Sequence, residues 1–301
     1  MRSLYIKLFT IVSLISLFVK EISYKLNISN VDEKRKIIFT FWEPHEKIPG
    51  YLLLCIKTWK KYLPDYEIKL LDYKSVKYYL GESLFSSIIC RNMTLPIQVD
   101  AIRVALLKKF GGIWIDADTI ILNREFFEEL KDFELIMLGT EKTKIPNIGF
   151  IFAAYNSYLI KEWLKTIIKK VKLYKEYINT NSTNNIDKKY FKELNSWNYL
   201  GNGIINDLIK NAKRKEFLLL DRNKIHAFPE LILFGNSSEN ILEKYQRLYF
   251  QRGDPQIILK ESKSIILLHN SWTPSRYKTM SKEEFLKQDI LLSKLLTYVL
   301  K

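Results

Sequence analysis

The sequence predicts an α/β protein with a mostly parallel central sheet flanked by helices, and three observations carry that prediction. Short apolar runs alternate with stretches of helical periodicity along the first half of the chain. Pro and Gly stand where one element must give way to the next. With 301 residues, 47% of them hydrophobic, the chain can bury a core large enough for such a sheet.

The elements follow in order. KIIFTFW, residues 36–42, reads as a buried first strand. Pro44, Pro49 and Gly50 mark a loop, and 51–63 has helical spacing up to Pro64. Residues 66–72 form a short second strand, and a Tyr- and Lys-rich helix continues to about residue 80. Pro96 opens a helix over 97–110, which Gly111 and Gly112 stop. Apolar strands are expected at 113–115 and 120–122, with Asp116 and Asp118 between them. Further strands are predicted at 135–139 and 148–154, and a long basic helix at 158–177. NTNSTNN, residues 179–185, is a polar low-complexity loop. A helix over 203–212, strands at 217–220 and 264–269, and an amphipathic helix over 282–300 complete the chain. With no internal repeat and no long linker, the simplest organisation is one domain over 36–275. A hydrophobic segment at 1–22 precedes it, and a C-terminal helix within 280–301 follows.

Lys and Arg number 48 against 33 Asp and Glu, a net charge of +15. That balance suits anionic partners, whether nucleic acid, anionic lipid or phosphorylated substrates. It equally suits lysines dotted over exposed helix faces. The basic residues spread along the whole chain and no nucleic-acid-binding motif is present, which argues against a nucleic-acid-binding protein. Cys55 and Cys90 sit among apolar neighbours without a CxxC pair or a metal-spaced Cys/His cluster. They read as buried thiols, and zinc is set aside. Near the N-terminus, Arg2 and Lys7 accompany an uncharged run at 8–19. It is shorter than the roughly 20 residues that span a bilayer, and no clear small-residue cleavage site follows. A short membrane anchor, an interfacial helix and a hydrophobic helix packed on the domain stay open, with membrane contact of some kind expected.

FGGIWIDADTIIL, residues 110–122, is the most informative stretch. Aspartates two apart on extended backbone project to the same side. They follow a buried strand, and open α/β sheets place ligands at the carboxyl ends of their strands. Two carboxylates in an apolar setting repel unless they share a cation or a proton. A hard divalent ion such as Mg2+ or Mn2+ satisfies both and leaves positions for phosphate oxygens. A surface turn capped by two aspartates is the alternative. On the preceding helix, Asp100 and Arg103 are spaced i,i+3 and share one face. They read either as an ordinary surface ion pair or as a pair holding sugar hydroxyls or phosphate, for which Arg supplies a planar set of donors.

VDAIRVALLKKFGGIWIDADTIIL, residues 99–122, resembles the Asp-x-Asp glycosyltransferases related to capsular polysaccharide synthesis proteins. That superfamily takes in Golgi mannosyltransferases and the large glucosylating bacterial toxins. A helix with Asp-x-x-Arg, a Tyr/Phe-Gly-Gly turn, a strand and Asp-x-Asp are all present, in order and at matching spacing. KIIFTFW resembles the family's first strand, whose final Trp stacks on the nucleotide base; Trp42 is the match, although a core Trp closing a strand fits as well. IPNIGFIFA (145–153) resembles the stretch in which an Asn frames the sugar, here Asn147. LGNGIINDLI (200–209) resembles a helix start with Gly-Pro, except that Asn202 replaces the Pro. LLHNSW (267–272) resembles a late segment that returns to the site. There His269 is a candidate metal ligand, and the Trp272 indole can donate to a phosphate.

The resemblance implies a GT-A fold, a Rossmann-like nucleotide-diphospho-sugar transferase in a single domain. It implies Mn2+ or Mg2+ as cofactor, held by Asp116, Asp118 and His269. Trp42, Asp100, Arg103, Asn147 and Trp272 would bind the donor, and Asp116, Asp118, Asp100 and Arg103 would carry the chemistry. A hexose would pass from a UDP- or GDP-sugar, UDP favoured, to a glycan or lipid-linked acceptor, with retention of configuration. The setting would be surface polysaccharide biosynthesis at the cytoplasmic face of the inner membrane. An inverting enzyme would instead need a carboxylate base, for which Asp207 and Asp254 are candidates. A membrane-associated protein that keeps the fold without activity would lack one of the aspartates, and both are here. A glycoside hydrolase would set two carboxylates roughly 5–10 Å apart across the sugar, which strand-borne neighbours suit less well than they suit an ion.

Overall fold

A computed structural model of the chain describes residues 36–128, 130, 133–139, 146–180, 196, 198–212, 217–221, 240–260 and 264–301. The N-terminal apolar segment and the Asn-rich stretch at 181–185 lie outside the described residues. Strand β1, Ile37–Phe41, is buried at every position, as its uninterrupted apolar run requires of a strand covered on both faces. Helix α1, Gly50–Tyr62, leads to β2, Glu67–Leu71, which pairs parallel with β1. Asp72 and Ser75 form a reciprocal capping box that starts α2, Tyr73–Leu80. A short helix that the sequence reading left out, α3, spans Glu82–Ile88.

Helix α4, Leu95–Phe110, has Pro96 in its first turn, where a missing N–H costs nothing. It ends at Gly111 (φ 65°) and Gly112 (φ 93°), a left-handed corner from which the chain turns into β3, Gly112–Ile115. After β4, Thr119–Ile121, and the single turn α5, Glu125–Glu128, come β5, Leu135–Gly139, and β6, Pro146–Ala153. Helices α6, Tyr158–Thr180, and α7, Asn202–Lys210, precede β7, Phe217–Asp221. The chain closes with α8, Ile241–Phe250, α9, Gln256–Leu259, β8, Ile265–Leu267, α10, Ser275–Lys278, α11, Lys282–Leu286, and α12, Leu291–Leu300.

Six strands form the central sheet in the order β2–β1–β3–β6–β5–β7. All run parallel except β6, which is antiparallel to both neighbours. The parallel strands therefore end along one edge, where ligands of such sheets collect. A second sheet pairs β4 with β8 antiparallel. Alternation along the strands feeds two cores: Ile38 and Ile113 point into the layer with α1, α8 and α12, and Phe39 and Trp114 into the layer with α4 and α6.

One expectation changes. Residues 282–300 form two helices, not one, and Leu291, Leu292, Leu295, Leu296 and Val299 of α12 are buried in the core beside α1. Among the described residues no helix is long and apolar enough to cross a membrane. Cys55 and Cys90 are free and buried, as their neighbours suggested.

Candidate active site

β3 carries Asp116 to the carboxyl edge of the sheet beside the end of β1, and the carboxylate is fixed from several sides. Its N–H donates to the Gly149 carbonyl at 2.8 Å. The Trp114 indole Nε1 donates to Asp116 Oδ1 at 2.8 Å. Arg103 Nη2 lies 3.6 Å from the same oxygen and 3.2 Å from Asp100 Oδ1. Arg103 also donates Nη1 to the Ile148 carbonyl, and its guanidinium stands 5.0 Å from the centre of the Trp114 ring.

Asp100 and Arg103 are only 3% and 5% exposed, so the reading as an ordinary surface ion pair is excluded. Burying two charges is costly unless they are paired and hydrogen-bonded, and the bonds just described meet that need. The Asp100 carboxylate packs against Gly201, at the N-terminus of α7, so closely that any side chain there would overlap it. The helix end favours negative charge at that point. Burial pushes the Asp100 carboxyl up to about 7, against the pull of Arg103 and with a further push from Asp116.

The β5–β6 ladder is irregular at Met137/Leu138, and opposite it the 147–149 segment of β6 lies beside Asp116, whose N–H it accepts at Gly149. Asn147 Oδ1 accepts from the Gly149 N–H at 2.7 Å. A Cβ on Gly149 would stand 2.9 Å from both Asp116 Oδ2 and Asn147 Oδ1, so Asn147 is brought to the aspartate across a glycine.

Asp118 is held differently. Its Oδ2 accepts the Asn270 N–H at 2.7 Å, and its backbone carbonyl accepts the Leu268 N–H at 3.0 Å. The late segment therefore returns to the site as the sequence suggested. Asp118 is half-buried as a residue, and desolvation first and the charge of Asp116 second push its carboxyl up to about 7. His269 and Trp272 stack with ring centres 4.1 Å apart, and Tyr245 stands 5.4 Å from the Trp272 ring while its hydroxyl accepts the His269 N–H at 2.9 Å. Trp42 directly follows β1, half-buried, its N–H bonded to the Leu71 carbonyl at 2.8 Å.

Asp100, Arg103, Asp116 and Asn147 thus form one contact network, Asp118 two residues on is bonded to the 268–272 segment, and Trp42 directly follows the adjoining strand β1. Asp207 and Asp254 have no part in it: both are exposed, Asp207 pairs with Lys210 at 2.8 Å, and Asp254 accepts the Gln256 N–H at 2.9 Å. Trp114, Gly149 and Asn270 belong to the site but were not singled out from sequence. Trp114 was the most accessible of these, since it stands two residues before Asp116 on one strand and so on the same side.

Among the described residues, no three His, Cys, Asp or Glu side chains group as a metal cage, so His269, expected as a third ligand, is not brought together with Asp116 and Asp118; its ring lies against Trp272. Two neighbouring carboxylates still offer hard oxygen donors, one of them desolvated and hydrogen-bonded only through backbone N–H. Small divalent ions of this kind commonly bind one or two carboxylates plus substrate phosphates, without an all-protein cage. The residues present fit such an ion.

A mostly parallel α/β sheet with a carboxylate pair at its carboxyl edge, buttressed by a buried Asp–Arg pair, is the α/β architecture expected from the sequence. The chain belongs to the capsular polysaccharide synthesis protein family, whose family model matches residues 10–198. No curated protein matches it. Among solved structures it is similar to the glycosyltransferase GlyE of Streptococcus pneumoniae TIGR4, with 14% identity and a TM-score of 0.42, covering 89% of this chain and 60% of that one. It is also similar to a glycosyltransferase involved in glycosylation of the major capsid of PBCV-1 (12% identity, TM-score 0.38, covering 80% and 96%) and to the PaToxG glycosyltransferase (16%, 0.37, covering 66% and 78%). The chain therefore spans about three fifths of the length of the pneumococcal protein.

Proposed function

We propose that the protein is a metal-dependent glycosyltransferase that moves a hexose from a nucleotide-diphospho-sugar, UDP-sugar favoured, to a glycan or lipid-linked acceptor in surface polysaccharide assembly. The observation that carries this reading is the unequal setting of the two aspartates. Asp116 is locked by Trp114, Arg103 and the Gly149 carbonyl, while Asp118 presents a desolvated carboxyl steadied by the Asn270 N–H.

Asp118 and Asp116 would hold Mn2+ or Mg2+, which when bound neutralises the diphosphate of the leaving group. The protein's own contribution is positioning and electrostatics. Trp42 would stack on the base. Asp100 and Asn147 would accept and donate hydrogen bonds at the sugar hydroxyls, with Arg103 keeping Asp100 and Asp116 in place. Trp272 would donate its indole N–H to a phosphate, and His269 supports that ring from one face. Retention of configuration follows the resemblance, with the leaving phosphate taking the acceptor's proton; among the described residues the network offers no further carboxylate as a base. The uncharged run at 8–19 is the sequence basis for placing the reaction at the cytoplasmic face of the inner membrane.

The test is hydrolysis of UDP- and GDP-sugars with Mn2+ or Mg2+, comparing wild type, Asp118→Asn and an EDTA control. Hydrolysis of one donor, abolished by EDTA and by Asp118→Asn, is the expected result. Failure of both UDP and GDP to bind with metal at millimolar concentration would sink the proposal.

A further inference from the structure

Behind Asp118 lies a hydrogen-bond path that leaves the site and enters the core. The Tyr51 hydroxyl, in the first turn of α1, donates to Asn270 Oδ1 at 2.6 Å and lies 3.3 Å from Thr273 Oγ1. The Asn270 N–H in turn donates to Asp118 Oδ2 at 2.7 Å. Tyr51 is fully buried, stacked on Phe285 at 5.6 Å, and the N–H of its neighbour Gly50 is bonded to the Met280 carbonyl at 3.2 Å. The residue therefore stands where α1, the 268–273 segment and the start of α11 meet. Burial, and then the charge of Asp118, raise its hydroxyl well above the usual tyrosine range, so it stays a donor throughout the working pH range.

We propose that Tyr51 is a positioning residue: by holding the Asn270 carboxamide it fixes the N–H that donates to Asp118 Oδ2, and so sets the affinity of the site for its metal–nucleotide pair. This rests on the reading of Asp118 given under Proposed function. Without the Tyr51 hydroxyl, Asn270 is tied to the protein by its own backbone alone, and Asp118 Oδ2 loses a fixed partner. The neighbouring core supplies a control, because the Tyr249 hydroxyl is buried without a hydrogen-bond partner.

The experiment is calorimetric titration of the full chain with manganese in the presence of UDP, which needs no turnover. Tyr51→Phe should weaken manganese binding about 5- to 10-fold, a loss the size of one hydrogen bond, with a melting temperature within about 3 °C of wild type. Asn270→Ala should do the same, and the double variant should be no weaker than Asn270→Ala, as expected of two residues acting through one path. Tyr249→Phe should bind as wild type does. Wild-type affinity in Tyr51→Phe, or effects of the two substitutions that multiply, overturns the inference. If Tyr51→Phe does not fold, Asn270→Ala decides, since its half-exposed side chain can be removed without opening the core; unchanged binding there also overturns it. A wild-type chain that binds no manganese with UDP overturns this inference and the proposed function together, a result distinct from equal binding by wild type and variant.

Discussion

Arg103 turns its guanidinium inward, to the Ile148 carbonyl, to Asp100 and Asp116, and across the Trp114 ring. Its Nε is buried without a hydrogen-bond partner. Two side chains therefore align Asp116, and Trp114 is the one whose hydrogen bond can be removed while an aromatic ring is kept in its place. Trp114→Phe keeps a ring in the buried site and removes the 2.8 Å bond to Asp116. Donor hydrolysis should fall about tenfold in kcat, a hydrogen bond's worth, with far less change in KM for the donor; equal kcat would show that Arg103 suffices. Gly201→Ala is predicted to be harsher. The new Cβ would overlap the Asp100 carboxylate and crowd Ile148, so helix α7 or Asp100 must move. Urea unfolding should show a loss of about 1–3 kcal/mol, together with donor hydrolysis at least about tenfold down. The types and spacing of Asp100, Arg103, Asp116 and Asp118 made them legible in the sequence. Gly201 was not, because its role is set by what lies across from it, and Asp100 is far away along the chain.

At the scale of elements, β4 pairs with β8 on one edge, and side chains of α1 satisfy backbone groups of the strand that β8 leaves. Thr58 Oγ1 donates to the Cys55 carbonyl at 2.6 Å and accepts the Ile121 N–H at 2.9 Å. Trp59 Nε1 donates to the Thr119 carbonyl at 2.7 Å. A helix thus substitutes for a third strand, immediately after Asp118. Thr58→Val keeps the shape and leaves a buried N–H unsatisfied, which should cost about 1–3 kcal/mol in chemical denaturation. Thr58→Ser should recover most of that loss; a neutral Thr58→Val would mean that the strand edge is held by packing alone. Periodicity revealed α1 and β4, but a side chain capping a strand edge has no period and left no trace. The break between α11 and α12 was hidden for a related reason. No Gly or Pro marks it; Asp289 pairs with Arg252 at 3.3 Å and Lys294 at 2.6 Å, and the Leu291 N–H reaches the Gln251 carbonyl at 2.8 Å. Contacts from a distant loop impose that turn, and α8, beside the same loop, was missed as well.

Taken as a whole, the molecule carries a net charge of +15 yet concentrates acid at one edge of its sheet. Asp100 and Asp118 both stand at about 7, each through burial first, against an ordinary carboxylate value near ~4. A folded-state value above the unfolded one means that folding takes up protons between the two. The stability tied to the protonated carboxyls is full below about pH 4 and is lost as pH rises through about 7. Carboxylates held low by cations act in the opposite sense. Asp65, bonded to Lys36 and then Arg124, stands at about 2, so its contribution is present above about pH 4 and lost only as pH falls toward 2. The two groups therefore act in separate windows, and the interval from pH 5 to 8 reports the site. In EDTA the protein should melt lower at pH 8 than at pH 5, by on the order of 5 °C. Asp118→Asn should show a shallower slope and a higher melting temperature at pH 8, despite its loss of activity. Manganese with UDP should stabilise wild type more at pH 8 than at pH 5, because the metal takes the ionised carboxylate. Scanning calorimetry on both proteins checks all three outcomes. A flat profile for wild type, or an Asp118→Asn slope equal to it, would mean that these carboxyls are better solvated than their burial implies, and the electrostatic basis for a metal at Asp118 would go with it.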